Sequence, residues 1–192
     1  MKNPVILVHG FKDSGKKMSR MAAYLRERGW ETHTPTLAPS WGQVGIDQLA
    51  RQLGDYIASS LAAAKKIDLV GFSMGGLITR YYLQKLGGHQ RVEHYISIAA
   101  PNGGTLTAYG LPLPAARQMR FHSDFLRDLD ANVEILNQLK TTVIWTPMDL
   151  MIIPANSSRL ACAGEHKISV PMHQLMVSSE KVFRTVEKSL ND

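Results

Sequence analysis

The chain has 192 residues, enough for one compact domain and too few for two ordinary ones, and its single cysteine excludes an intramolecular disulfide framework. A composition of 44% hydrophobic and 20% charged residues excludes collagen-like, fibrous and disordered classes. Lys and Arg number 22 against 16 Asp and Glu, a formal net charge of +6.

The opening residues, Met1 to Gly10, carry one charge, Lys2, before a short apolar run. This is expected to be a strand, Val5 to Val8, rather than an export signal or a membrane span, and no window reaches the roughly 18 apolar residues of a spanning helix. A cytoplasmic protein is the expectation. Next comes a basic helix in which Lys12, Lys16, Lys17, Arg20, Arg26 and Arg28 face only Asp13 and Glu27. Only Tyr24 is aromatic among these charges, too little to stack successive bases, so no nucleic acid partner is expected; a solvated face is the expectation, with at most weak contact to an anionic membrane surface.

Further along, β-branched runs alternate with helical periods, the rhythm of parallel strands joined by crossover helices. The remaining strands are expected at Glu31 to Thr34, Ile67 to Phe72, His94 to Ala99, Thr141 to Thr146 and Lys167 to Val170. Helices are expected through Ile46, Leu49, Leu53, Ile57 and Leu61, through Leu77, Ile78, Tyr81, Tyr82 and Leu86, and through Val182, Phe183, Val186 and Leu190. Gly29 and the Gly87-Gly88 pair fall where left-handed caps end helices. One long excursion, Thr105 to Lys140, places Leu111, Pro112, Leu113 and Pro114 before a helix carrying Phe125, Leu126, Leu129, Val133 and Leu136. An insertion of that length is expected to form a lid or pocket wall. The result is a single α/β domain over 1–192, a mostly parallel sheet of about six strands flanked by helices.

Gly71-Phe72-Ser73-Met74-Gly75 sits where an apolar strand passes directly into an apolar-periodic helix, the setting of a nucleophile elbow. The glycines serve a tight turn that leaves no room for side chains two residues before and after the serine. A serine hydroxyl needs a base, and the base an orienting carboxylate. Asp149 follows the expected fifth strand and His173 the expected sixth, so a parallel sheet delivers both to the edge that carries Ser73. The rivals are Asp124, Asp128 and Asp130 in the excursion, and His166, which begins the expected sixth strand at the wrong edge. His9-Gly10-Phe11 ends the first strand, making the backbone N–H groups of Phe11 and Met74 the candidate oxyanion donors.

Other motifs carry less. Gly10 to Lys16 has the glycine and lysine spacing of a phosphate loop, but Lys17 stands where a Ser or Thr must ligate magnesium. Nothing around Cys162 would lower its pKa. The histidines lack metal-ligand spacing, so no metal is expected. Asn156-Ser157-Ser158 matches a glycosylation acceptor, without meaning in a chain for which no export is expected.

With Ser73, His9-Gly10, Pro101-Asn102-Gly103-Gly104-Thr105 and Asp149 followed by Ile153-Pro154 before a serine pair, nearly the whole chain resembles the α/β-hydrolases, and most of all the compact bacterial class 2 lipases and related lipid deacylases. Some small secreted members carry alanine at the place of Gly71. The resemblance implies a three-layer α/β-hydrolase fold and cofactor-free hydrolysis of a small-molecule or lipid ester through an acyl-enzyme. The same residues suit an acyltransferase or thioesterase. A phosphate-loop nucleotide binder and a non-catalytic ligand-binding module are the competing classes. Leu106, Leu111, Leu113, Met119 and Phe121 are candidates for an acyl-pocket wall.

Overall fold

The computed structural model describes residues 2–192. Its sheet is built from β1 (Val5–Val8), β2 (Thr32–His33), β3 (Ile67–Phe72), β4 (Val92–Ile98), β5 (Lys140–Trp145) and β6 (Gly164–Lys167), in the order β2-β1-β3-β4-β5-β6. Every pairing is parallel. Crossover helices therefore lie on both faces. Helices α1 (Ser19–Arg26) and α6 (Glu180–Ser189) cover one; α2 (Ile46–Ser60), α3 (Met74–Lys85) and the excursion cover the other. Alternation along β1 shows the division: Val5 and Leu7 pack beneath α1 and α6, whereas Ile6 and Val8 pack with α2 and α3. Burial on both faces is why β1 reads as an unbroken apolar run.

The strand ends depart from the sequence expectations for identifiable reasons. β2 is shorter than Glu31 to Thr34, because Pro35 has no N–H for the ladder and the chain turns to deliver the Leu37 amide to the β1 loop. β4 begins at Val92 and stops at Ile98, since Ala99, whose N–H makes a last bond to Ile144 O at 2.8 Å, takes φ +46° and turns the chain out of the extended conformation. β5 starts at Lys140, opposite His94, and stops before Thr146. The largest displacement is β6, expected at Lys167 to Val170 and found at Gly164–Lys167. It is an exposed, polar edge strand, so its pairing with β5 rather than hydrophobic burial defines it. His166 consequently lies within the strand opposite Ile144, not at its start.

The basic helix begins as a 3-10 turn, Gly15–Met18, before α1. Gly29 and Gly87 take φ +86° and +74°, the left-handed caps expected of them. In the excursion the single helix through Leu136 is broken: α4 (Pro114–Gln118) and α5 (Asp124–Asp130) are followed by a 3-10 turn, Val133–Gln138. Ser123 caps α5, its hydroxyl accepting from Leu126 N at 3.2 Å. α5 stops because the Gln84 side-chain amide donates to Leu129 O and Asn132 O, at 2.7 and 2.6 Å, in place of a further helical turn.

The anchor of this segment is Arg80 of α3, a fully buried side chain. It donates to Gln84 Oε1, Asn102 O and Asp130 Oδ1 at 2.8, 3.3 and 2.7 Å. A buried guanidinium is tolerated only when its donors are satisfied, so this cluster joins the elbow helix, the loop after β4 and the excursion. Arg80→Met removes the charge but leaves two buried acceptors unpaired. Urea unfolding is expected to show a loss of about 3 kcal/mol; a loss within experimental error would mean that the cluster contributes nothing net.

Candidate active site

β3 passes into α3 through Ser73, which takes φ +55° and ψ −126°. A non-glycine residue there is strained and is held by its surroundings. Ser73 N still donates to Ile98 O of β4 at 2.9 Å, and Gly76 N to Ser73 O at 2.9 Å. The glycines expected for steric reasons have that role: a Cβ on Gly71 would lie 2.6 Å from Gly75 O and Gly76 Cα, and one on Gly75 would strike the β1 backbone at Val8 and His9. The elbow thus presses α3 against the end of β1, where the oxyanion candidates lie.

His9, at the end of β1, is fully buried. Leu37 N donates to its Nε2 at 3.0 Å, so that nitrogen carries no proton, and Nδ1–H donates to Gly10 O at 2.9 Å. Burial holds its pKa below 6.5, against smaller opposing effects of the Gly10 carbonyl and Asp13. In a planar peptide the carbonyl and the next N–H point opposite ways. Fixing Gly10 O toward His9 therefore turns Phe11 N–H away from it. The Gly10 Cα lies against Ser73, since a Cβ there would sit 2.9 Å from Ser73 Cβ. Among the described residues neither the Phe11 nor the Met74 amide donates to a protein acceptor.

Asp149 and His173 arrive on the same edge and are bonded to each other. His173 Nδ1–H donates to Asp149 Oδ2 at 2.8 Å, with both residues buried. The other carboxylate oxygen accepts from Met151 N and Ile152 N, each at 2.9 Å. The His173 ring packs on Phe72, the residue before Ser73, with centroids 4.9 Å apart. No hydrogen bond joins Ser73 and His173 among the described residues; such bonds commonly tighten only when substrate arrives.

The rivals have other tasks. Asp130 pairs with Arg80, Asp128 with Lys85 at 2.6 Å, and Asp124 with Arg127 at 3.5 Å. Burial pushes the Cys162 thiol upward, away from reactivity. The phosphate-loop reading fails on its amides: Lys12 N, Gly15 N and Lys17 N already donate to Ser40 O, Thr36 Oγ1 and Ser14 O.

Sequence reasoning gave Thr146 and Thr105 no role of their own. Thr146 Oγ1, fully buried, donates to Val170 O at 2.7 Å and accepts from Val170 N at 3.2 Å, clipping together the loops that carry Asp149 and His173. Thr105 Oγ1 donates to Met151 O and accepts from Ile153 N, both at 2.9 Å. Beside it Asn102 Nδ2 donates to Ser158 O at 2.7 Å, Gly103 N to Ser157 O at 2.8 Å, and the Ser157 hydroxyl to Gly104 O. The two stretches Pro101 to Thr105 and Ile153 to Ser158, separate in the sequence, are halves of one brace.

A cavity of about 90 Å³ adjoins Ser73. Phe11, Leu111, Met119, Met151 and Ile152 supply its apolar wall, with Thr105, Thr107, Ala108 and Ala116. Of the five wall candidates, Leu111 and Met119 are in place. Leu106 points to solvent on its 3-10 turn, Leu113 lies against Gly42, and Phe121 against Gly104, so these three are corrected. Leu106 opens the 3-10 turn Leu106–Gly110, Leu113 precedes α4, and Phe121 lies in the turn between α4 and α5, so local turns rather than a helical face set their directions.

Comparisons with known proteins agree with this architecture. The chain is similar to the mature form of Bacillus licheniformis lipase BlEst2, with TM-score 0.81, 17% identity, and coverage of 98% of this chain and 92% of that one. It is also similar to Aspergillus fumigatus lipase B, with TM-score 0.82 and 16% identity over 100% of this chain and 53% of that one. These likenesses establish an α/β-hydrolase fold. Among curated sequences, lysosomal thioesterase PPT2-B of Xenopus laevis is 30% identical over 121 residues, 57% of this chain and 38% of that protein. Lysosomal thioesterase PPT2 of Mus musculus is 28% identical over 109 residues, 53% of this chain and 34% of that protein. The match thus spans little more than a third of those relatives' length. The palmitoyl protein thioesterase family profile matches residues 4–129, two thirds of the sequence including the elbow, and the chain belongs to that family.

Proposed function

We propose that the chain is a serine hydrolase that cleaves acyl esters through an acyl-enzyme on Ser73. The observation that carries this reading is the buried Asp149–His173 pair, seated against the residue that precedes the strained Ser73. Asp149 accepts a hydrogen bond from Nδ1–H and keeps the proton on that nitrogen, which leaves the Nε2 lone pair of His173 as general base. Ser73 Oγ attacks the acyl carbon and gives its proton to Nε2; the oxyanion is held by the Phe11 and Met74 amides, the latter at the positive end of α3. Collapse expels the alcohol, which takes the proton from His173, and leaves acyl-Ser73. Water activated by His173 then releases the acid.

The thioester form of the same reaction is favoured by family membership, since the matched relatives are named thioesterases. A thiolate leaves more readily than an alkoxide, so the same groups serve both. Transfer to an alcohol or thiol instead of water would make the enzyme an acyltransferase.

Intact-mass measurement after treatment with a fluorophosphonate is expected to show one adduct on the parent and none on Ser73→Ala. A folded parent that never labels would overturn the hydrolase reading, and equal labelling of both would overturn Ser73 as nucleophile. Matched oxyester and thioester substrates, with and without an alcohol acceptor, then separate the three chemistries by product.

A further inference from the structure

Among the described residues, every large apolar side chain left exposed lies at the edge of the sheet that carries Ser73. Trp41, 56% exposed, follows β2. Leu106 and Tyr109 stand on the 3-10 turn whose neighbours line the cavity. Met148, Leu150 and Met151 flank Asp149, with Leu150 76% exposed; Met172 and Leu175 flank His173. Scattered exposed apolar residues need no explanation, but their confinement to one rim marks a surface that meets something apolar.

Charge on the same rim identifies what it meets. The loops at this edge, residues 9–20, 34–45, 99–113, 146–159 and 168–179, contain Lys12, Lys16, Lys17, Arg20 and Arg159 but only two carboxylates, Asp13 and the buried Asp149. Lys12 Nζ lies 5.0 Å from the Trp41 ring and 5.5 Å from that of Phe11, and the Arg120 guanidinium 5.1 Å from the Tyr109 ring. Arg20 shares a cleft with Leu175, Lys181 and Glu180, the last of which pairs with Arg184. Aromatic and aliphatic side chains interleaved with cations suit the boundary between acyl chains and anionic headgroups. The far end of the basic segment is occupied otherwise, since Arg28 pairs with Glu187 and covers Tyr24.

We propose that this rim docks the protein on an anionic lipid bilayer, with the mouth of the Ser73 cavity toward the membrane. Its use in substrate capture rests on the hydrolase reading above. The cavity size supports it: about 90 Å³ is well below the several hundred Å³ that enclose a whole ligand. A long acyl chain bound there leaves most of its length outside, where only the rim or the bilayer covers it.

Sedimentation with vesicles of phosphatidylcholine alone, and of phosphatidylcholine with phosphatidylglycerol, tests the docking. The parent is expected to bind the second kind, and less as salt is raised. A Trp41→Ser/Leu150→Ser variant, and separately Lys16→Glu/Arg20→Glu, should each bind roughly tenfold more weakly. Both should keep the parent's circular dichroism and its rate on a water-soluble aryl acetate. If either fails to fold, Leu150→Asn or Lys16→Gln alone is measured. Failure to bind either vesicle, or binding that both variants leave unchanged, would overturn the proposal. So would a concentration-dependent dimer lost in the Trp41→Ser/Leu150→Ser variant, because a second copy would then own the surface. Vesicle binding by a chain whose Ser73 does not label would overturn the hydrolase reading and leave the docking surface standing.

Discussion

Asp149→Asn is expected to lower kcat about 10⁴-fold with little change in KM or in thermal stability. The reason lies in how the carboxylate is held. One oxygen accepts from Met151 N and Ile152 N, so an asparagine can keep those bonds only by placing its carbonyl oxygen there. Its NH₂ then faces His173. That forces Nδ1 to act as acceptor and moves the proton to Nε2, the nitrogen that must receive the Ser73 proton. Tautomer, not position, is what changes. Steady-state rates and the rate of fluorophosphonate labelling should fall together, while the melting temperature stays near that of the parent. A loss of less than tenfold would remove Asp149 from the orienting role and reopen the question of which carboxylate serves it.

What could be read from the sequence divides along a physical line. Ser73 and its glycines are legible because their constraint is local: a turn that tight excludes side chains at fixed offsets, whatever the rest of the fold does. β1 and β3 are legible because burial on both faces demands an apolar run. Asp149 and His173 are legible through topology, since parallel strands share one carboxyl edge, and this survives the displacement of β6 toward the N-terminus. His173 lies six residues beyond the strand rather than three, yet the Thr146 clip still brings it to Asp149. Side-chain bonds replaced strand pairing in that step, and no periodicity announces such a bond.

The pocket wall was less legible for a related reason. Which side chains face Ser73 depends on how the segment after β4 folds back on the loop after β5, through Thr105 and Met151. Those residues are 46 positions apart. Leu106 and Phe121 have the right chemistry and the wrong direction, whereas Met151 and Ile152 come from a loop that hydrophobic patterning did not single out. Family membership fits this division, in that the profile match covers the elbow and ends at residue 129, before Asp149 and His173.

His9→Phe tests whether the oxyanion loop is held as its hydrogen bonds imply. The phenyl ring fills the same buried space but bonds neither Leu37 N nor Gly10 O, freeing the Gly10–Phe11 peptide to rotate. Losing one oxyanion donor typically costs 10²- to 10³-fold, so kcat is expected to fall about 10²-fold with substrate binding largely retained. A second, independent signature comes from pH. Burial depresses the pKa of His9 in the folded protein, so the unfolded chain binds a proton more readily than the native one as pH drops below 6.5. Unfolding free energy therefore rises with pH across that window, and the stability contributed by neutral His9 is full above 6.5 and lost on acidification. The phenylalanine variant lacks this dependence. Its stability deficit relative to the parent, measured by urea unfolding, should be larger near pH 7 than near pH 5. A deficit that does not change with pH would mean that His9 titrates alike in both states, and an unchanged kcat would mean that Phe11 N–H keeps its orientation without the imidazole.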